Sequence, residues 1–217
     1  VLTDTEIRGA ISDGLMAIDP LDDGLLRGAS YDMRVGSEAY VSGSDEVIDV
    51  SNKGLVIVDP GKFAMITTHE RIRCGPQVAG QLGLMSDFAR QGLVLLSGPQ
   101  IDPGFDGILI VRVTNLAPRR VTLPYKAPFL TVQLFKLGEP VRHPYAGSRH
   151  GQTGLQPQDL QELHDPETPT LGGMVKSLAS LAKDVGDLKS AVKWMAMAIP
   201  VIVGLGIAII GIIVGLK

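Results

Sequence analysis

The chain has 217 residues, 45% of them hydrophobic, a formal net charge of −3 and a single cysteine, Cys74. That charge argues against a nucleic-acid binder working by bulk electrostatics, and one cysteine excludes a disulfide framework or a cysteine-rich zinc site. The mean hydropathy of +0.21 is high for a domain that faces only water; the excess sits in one stretch at the C-terminal end.

The N-terminal residues VLTDTEIRGA contain no apolar core of a signal peptide, so none is expected, and the leading Val fits removal of an initiator Met. Thr3-Asp4-Thr5-Glu6 reads as a capping signal for a short helix over Ile7–Gly14. From there to about Tyr145, Gly and Pro punctuate short apolar runs: LVIV at 55–58, FAMITT at 63–68, GLVLL at 92–96, ILIVRVT at 108–114 and FLTVQLF at 129–135. Many short strands at this spacing predict a mainly β sandwich or barrel over residues 1–145. SDFARQG at 86–92 reads as one helical turn ended by Gly92. No histidine pair has the spacing of a metal site, so neither a metal nor another cofactor is expected.

Residues 146–170 turn polar and read as a linker. Over 171–193 the apolar residues Leu171, Met174, Leu178, Leu181, Val185, Leu188 and Val192 recur at alternating spacings of three and four. That is the a/d seam of a coiled-coil stalk, with an amphipathic helix lying flat on a bilayer as the alternative. Residues 194–216 carry no charge, from Trp194 through Pro200, Gly204, Gly211 and Gly215. As a helix of 1.5 Å rise per residue this stretch is long enough for a ~30 Å hydrocarbon core. It predicts a single-pass C-terminal anchor with a lipid bilayer as partner. The lysines before it place the head in the cytoplasm, or on an internal membrane of a virus particle.

The segments of the head match a known pattern in order and spacing. GASYDMRVG at 28–36, the P-G…T-x-E segment at 60–70, SDFARQGL at 86–93, QIDPGFDG at 100–107 and FLTVQLFKLGEP at 129–140 carry it. The head resembles the dCTP deaminase branch of the dUTPase superfamily. The resemblance implies a distorted β-barrel or jelly-roll subunit assembling as a homotrimer, with sites between subunits.

In that family a glutamate on the strand after I-D-P-G shuttles the proton for attack of water on cytosine. This chain has Arg112 at that position, and a guanidinium has no acceptor lone pair. The phosphate motif keeps Ser86 and Arg90 but has Met85 and Asp87 where the family has Arg and Ser. Ser86, Arg90, Asp102, Arg112, Gln133 and Arg149 are the residues left for a residual nucleotide or anion site. Asp102 reads equally as a turn residue or as the aspartate that orients water in dUTPases.

These departures give the expectation of a non-enzymatic, membrane-anchored trimeric scaffold or adaptor, a pseudoenzyme, such as a membrane-linked component of a phage or virus particle. Protein partners would then sit on the head. A nucleotide-binding sensor coupled to the membrane, and an active anchored deaminase or dUTPase, stand as alternatives.

Overall fold

The computed structural model describes residues 1–44, 46–161 and 171–215; in the last segment side chains are described at 177, 178, 180–200 and 204. The chain divides into two units, Val1–Thr170 and Leu171–Lys217.

The first unit is mainly β, as the punctuated apolar runs predict. Its strands are β1 (Met16–Asp19), β2 (Leu26–Arg27), β3 (Ser30–Val41), β4 (Ile48–Asp49), β5 (Leu55–Val58), β6 (Phe63–Cys74), β7 (Val78–Leu84), β8 (Leu93–Leu95), β9 (Gln100–Ile101), β10 (Asp106–Asn115), β11 (Val121–Pro124) and β12 (Pro128–Lys136). The main sheet runs β8-β10-β6-β3-β12-β7-β9, with β1 added on β6 and β2 and β4 on β3; β5 and β11 form a separate pair. The short strands β8 and β9 pair at opposite ends of this path, yet only residues 96–99 separate them. That short connection forces the sheet to curl until its ends approach each other. Leu96 N–H donates to Arg112 O at 2.8 Å, and Leu82 N–H donates to Pro99 O at 2.6 Å, so the connection is bonded to both ends.

Among the described residues four α-helices accompany the sheet: α1 (Asp4–Ser12), α2 (Val50–Lys53), α3 (Ser86–Arg90) and α4 (Pro157–Gln161). The helix α1 has the expected capping box, with Thr3 N–H donating to Glu6 Oε2 at 2.8 Å. Its Ile7 and Ala10 face inward. The core gathers Tyr31, Met33, Ile66, Val111, Val113, Phe129 and Leu130, all fully buried or nearly so. Charged groups are buried as well, among them Asp32, Glu70 and Asp159. Glu70 is wholly buried on β6 and accepts from the backbone N–H of Arg34 at 2.8 Å and from its Nε at 2.5 Å. Burial of an ion is tolerable only with such complete pairing.

The polar stretch after Tyr145 is bonded to the sheet as far as Leu155. Gln152 bridges to Gly107 in parallel, Ile108 N–H donates to Gln152 O at 3.1 Å, and Leu155 N–H donates to Glu38 Oε2 at 2.8 Å. Residues 162–170 lie outside the described residues.

The second unit is one helix, α5 (Leu171–Gly215), with Pro200 inside it. Among the described residues no helix is long and apolar enough to cross a membrane. The anchor, the lipid partner and the membrane localisation read from the sequence are corrected on that finding. The physical reason lies in the part with described side chains. Lys183, Asp184, Asp187, Lys189 and Lys193 interrupt it, and only Trp194–Pro200 of the uncharged run is included without a break. Trp194, Pro200 and Gly204 are exposed; Gly211 and Gly215 fall among residues whose side chains are not described. The same holds for Leu171 and Met174 of the heptad seam.

Candidate active site

Where the curled sheet nearly closes, a cavity of about 380 Å³ opens between β7, β9, β10 and the segment after Tyr145. Strand alternation explains what faces it. Along β10, Gly107, Leu109, Val111 and Val113 are buried, while Ile108, Ile110 and Arg112 alternate to the other side. Ile110 and Arg112 line the cavity from that side, and Leu109, at the irregularity in the β10–β6 register, reaches it as well. The Arg112 backbone N–H donates to Ser97 Oγ at 2.7 Å, which pins the 96–99 connection to the wall.

Asp102 enters from the turn after β9 and is half-buried in the wall. Its Oδ1 accepts a short hydrogen bond from Gln100 Nε2. That amide fixes one oxygen and leaves the other available to a ligand or a water. Opposite in charge, Arg112 and Arg149 line the same cavity. The wall thus combines one carboxylate with two guanidinium groups, over an apolar floor that includes Leu82, Phe105 and Leu109. Phe105 and Tyr145 pack with ring centroids 5.7 Å apart, closing that floor.

Of the six residues expected to form a residual site, Asp102, Arg112 and Arg149 are brought together. Ser86 and Arg90 lie elsewhere, on α3, where Arg90 is ion-paired with Asp87 and both side chains are exposed. Gln133 is exposed on β12, opposite Gln81 of β7.

Two further groups bear on the site: Asp159, which was not legible in the sequence, and Gln152, which the sequence offers beside Arg149 as a possible phosphate contact within the linker. Asp159 is almost fully buried and accepts from both Arg149 nitrogens, Nη1 at 2.8 Å and Nη2 at 2.5 Å. Burial works against its charge. The Arg149 hydrogen bonds, the Gln156 N–H at 2.8 Å and the charges of Arg149 and Arg112 outweigh it and hold the carboxyl below its ordinary range. A usable sign was present: Pro157 at the first position of a helix, with an acid two residues later reaching back to the residue before the helix. Gln152 is the second group. Its Nε2 donates to Ile108 O at 2.6 Å, and its Oε1 is buried in the cavity wall without a partner.

The comparisons with known proteins bear on what this cavity does. A model of the dCTP deaminase-like family matches residues 1–126. The chain belongs to the dCTP deaminase-like family. The dCTP deaminase of Pyrococcus horikoshii is 37% identical over 155 residues, which cover 71% of this chain and 94% of the relative. That of Thermococcus gammatolerans is 40% identical over 134 residues, covering 62% and 83%. A Streptomyces coelicolor protein named dCTP deaminase, dUMP-forming, is 32% identical and covers 70% of this chain and 87% of its own. The crystal structure of a dCTP deaminase from Agrobacterium tumefaciens superposes with a TM-score of 0.52 at 16% identity, over 77% of this chain and 53% of that one, so it shares the fold.

These relatives overturn the expectation of a non-enzymatic scaffold, adaptor, pseudoenzyme or virion component, since they are named as enzymes over nearly their whole length. The expectation rested on Arg112, which has no acceptor lone pair, and on the altered phosphate motif; a carboxylate, Asp102, lines the same cavity from another element.

Proposed function

We propose that this chain is a nucleotide-converting enzyme of the dCTP deaminase class, acting on dCTP in the cavity between β10 and the segment after Tyr145. Asp102 is its proton-handling carboxylate. It holds a water with the oxygen that Gln100 leaves open, takes its proton as the water adds to the cytosine C4, and returns it to the departing amine. Atoms balance as dCTP plus water giving dUTP plus ammonia. A positioned general acid–base is worth ~10²–10⁴-fold. Arg112 and Arg149 lend positive charge to the wall of the cavity, which favours a ligand that carries anionic phosphates.

The observation that carries this reading is the placement of Asp102 with Arg112 and Arg149 in one cavity of a chain 37% identical to a dCTP deaminase. The head works as a homotrimer. In that assembly the exposed Ser86 and Arg90 of one subunit are available to a phosphate held by its neighbour, and Gln133 lies on the surface that subunits share.

The test is direct. Purified full chain is incubated with dCTP, and loss of the cytosine absorbance and release of ammonia are followed. Asp102→Asn is expected to lower turnover ~10²–10⁴-fold while leaving the circular dichroism spectrum unchanged. Absence of turnover with dCTP overturns the reading, and an Asp102→Asn variant of undiminished rate overturns the role of Asp102.

A further inference from the structure

The heptad seam of α5 presents an apolar stripe to solvent. Leu178 is 66% exposed, Leu188 is 65% exposed, and Leu181, Val185 and Val192 are exposed by more than half. A row of large aliphatic side chains of this length is stable in water only when covered. The charges beside the stripe say by what. With Leu178, Val185 and Val192 at a and Leu181 and Leu188 at d, Asp184 falls at g and Lys189 at the e position five residues on. Between neighbouring helices packed parallel and in register, g of one meets that e of the next, so Asp184 of each copy faces Lys189 of its neighbour. The other two g–e pairs among residues 177–196 are Ser177 with Ala182 and Ala191 with Ala196, all uncharged. An antiparallel pair brings g onto g and e onto e instead; it loses both Asp184–Lys189 contacts and, centred on this segment, sets Asp184 against Asp184.

We infer that the exposed face of α5 is an interface between copies of this chain, packed parallel and in register, with Asp184 and Lys189 selecting the orientation. This goes beyond the proposed chemistry of the head and does not depend on it. The occupant is a second copy of this chain because the stripe is complementary to itself in both shape and charge.

Cysteine cross-linking of the full chain tests it. The native Cys74 is buried, and burial pushes its thiol up to about 12, so it stays silent. Leu181→Cys and Leu188→Cys are each oxidised separately, beside Lys183→Cys on the outer face. Both seam variants are expected to form interchain disulfides at least ~10-fold faster than the outer variant, because a/d positions alone meet their own copies. An antiparallel pair self-links at one of the two seam positions at most, and that result overturns the inference. Equal linking at all three positions, or seam linking that appears only on added lipid vesicles, overturns it as well. As a charge test, Asp184→Lys is expected to slow seam linking and Asp184→Lys with Lys189→Asp to restore it; failure of the double variant to recover removes the orienting role of the pair.

Discussion

Arg149 holds Asp159 through two guanidinium nitrogens, at 2.8 and 2.5 Å, and the carboxylate so held is almost fully buried. One residue lines the cavity and the other closes the segment behind it, so this pair couples the order of residues 146–161 to the shape of the site. Burial opposes the charge of Asp159, yet its hydrogen bonds and the neighbouring arginines keep its carboxyl below the ordinary value.

The sign of the pH dependence follows from that depression. Stability from the pair is present above the unfolded carboxyl value of about 3.9 and is lost as pH falls through the lower folded value. Acidification below about pH 4 is therefore expected to release the segment, read as pepsin cleavage within residues 146–161. Asp159→Asn keeps the shape, loses the charge, and is expected to release the segment at neutral pH, where a neutral-pH protease reads it. Cleavage equal to that of the parent protein would show that other contacts hold the segment.

Gly107 gives a second handle on the same segment. Its φ is 156°, and a Cβ there would meet the backbone O of Gln152 at 3.1 Å and its N at 3.2 Å. Backbone that tight cannot yield as a flexible side chain can. Gly107→Ala is expected to displace Gln152 from β10, breaking the bond from Gln152 Nε2 to Ile108 O. The measurement is proteolysis of the segment alongside turnover of dCTP: both are expected to change, whereas global unfolding by urea shifts by no more than ~1–3 kcal/mol, as for other overpacking substitutions.

How much of this was legible from the chain differs by element. The strands β5, β10 and β12 were readable because their apolar residues are contiguous or alternate cleanly. The strand β3 was not, since Ser30, Asp32, Arg34 and Gly36 break the apolar pattern, and those polar groups find partners only in the tertiary structure: Asp32 accepts from Arg27 Nε at 2.7 Å, and Arg34 donates to Glu70. Asp102 and Arg112 were recognisable as site residues by position in the I-D-P-G segment. Their cooperation was not, because the 96–99 connection that brings their elements to one cavity acts through backbone bonds that any sequence can make. The segment 146–161 reads as a linker by composition; its order rests on contacts with polar groups, among them those of Gly151, Gln152, Leu155 and Asp159.

The pair of Glu70 and Arg34 makes a prediction about stability alone. Glu70 is fully buried and Arg34 is 15% exposed, so removing one partner strands the other in a poorly solvated site. Glu70→Ala leaves the Arg34 N–H unpaired and its guanidinium with only Asp22 Oδ2, at 3.3 Å, and is expected to cost ~3–5 kcal/mol, the range for a broken buried ion pair. Urea denaturation measures it. Replacing both residues with apolar ones of similar volume is expected to recover most of that loss, since the desolvation cost of the charges disappears with them. A loss under ~1 kcal/mol for Glu70→Ala would mean that water reaches the pair.

Gly186 provides the matching test in α5. It lies inside the helix, one residue past the seam position Val185, and a Cβ built there has nothing within 4 Å. Glycine in a helix interior costs ~1 kcal/mol relative to alanine, through backbone entropy. Gly186→Ala is therefore expected to raise the helical circular dichroism signal and the melting temperature of that signal. The hydrogen bond from Ser190 Oγ to Gly186 O at 3.0 Å uses the backbone and survives the change. An Ala at this position is outside the a/d seam, so cross-linking through Leu181→Cys is expected to be unchanged or faster. A lowered melting temperature would mean that this face of the helix is in contact in the assembled protein, and that the copies pack around more of α5 than the seam alone.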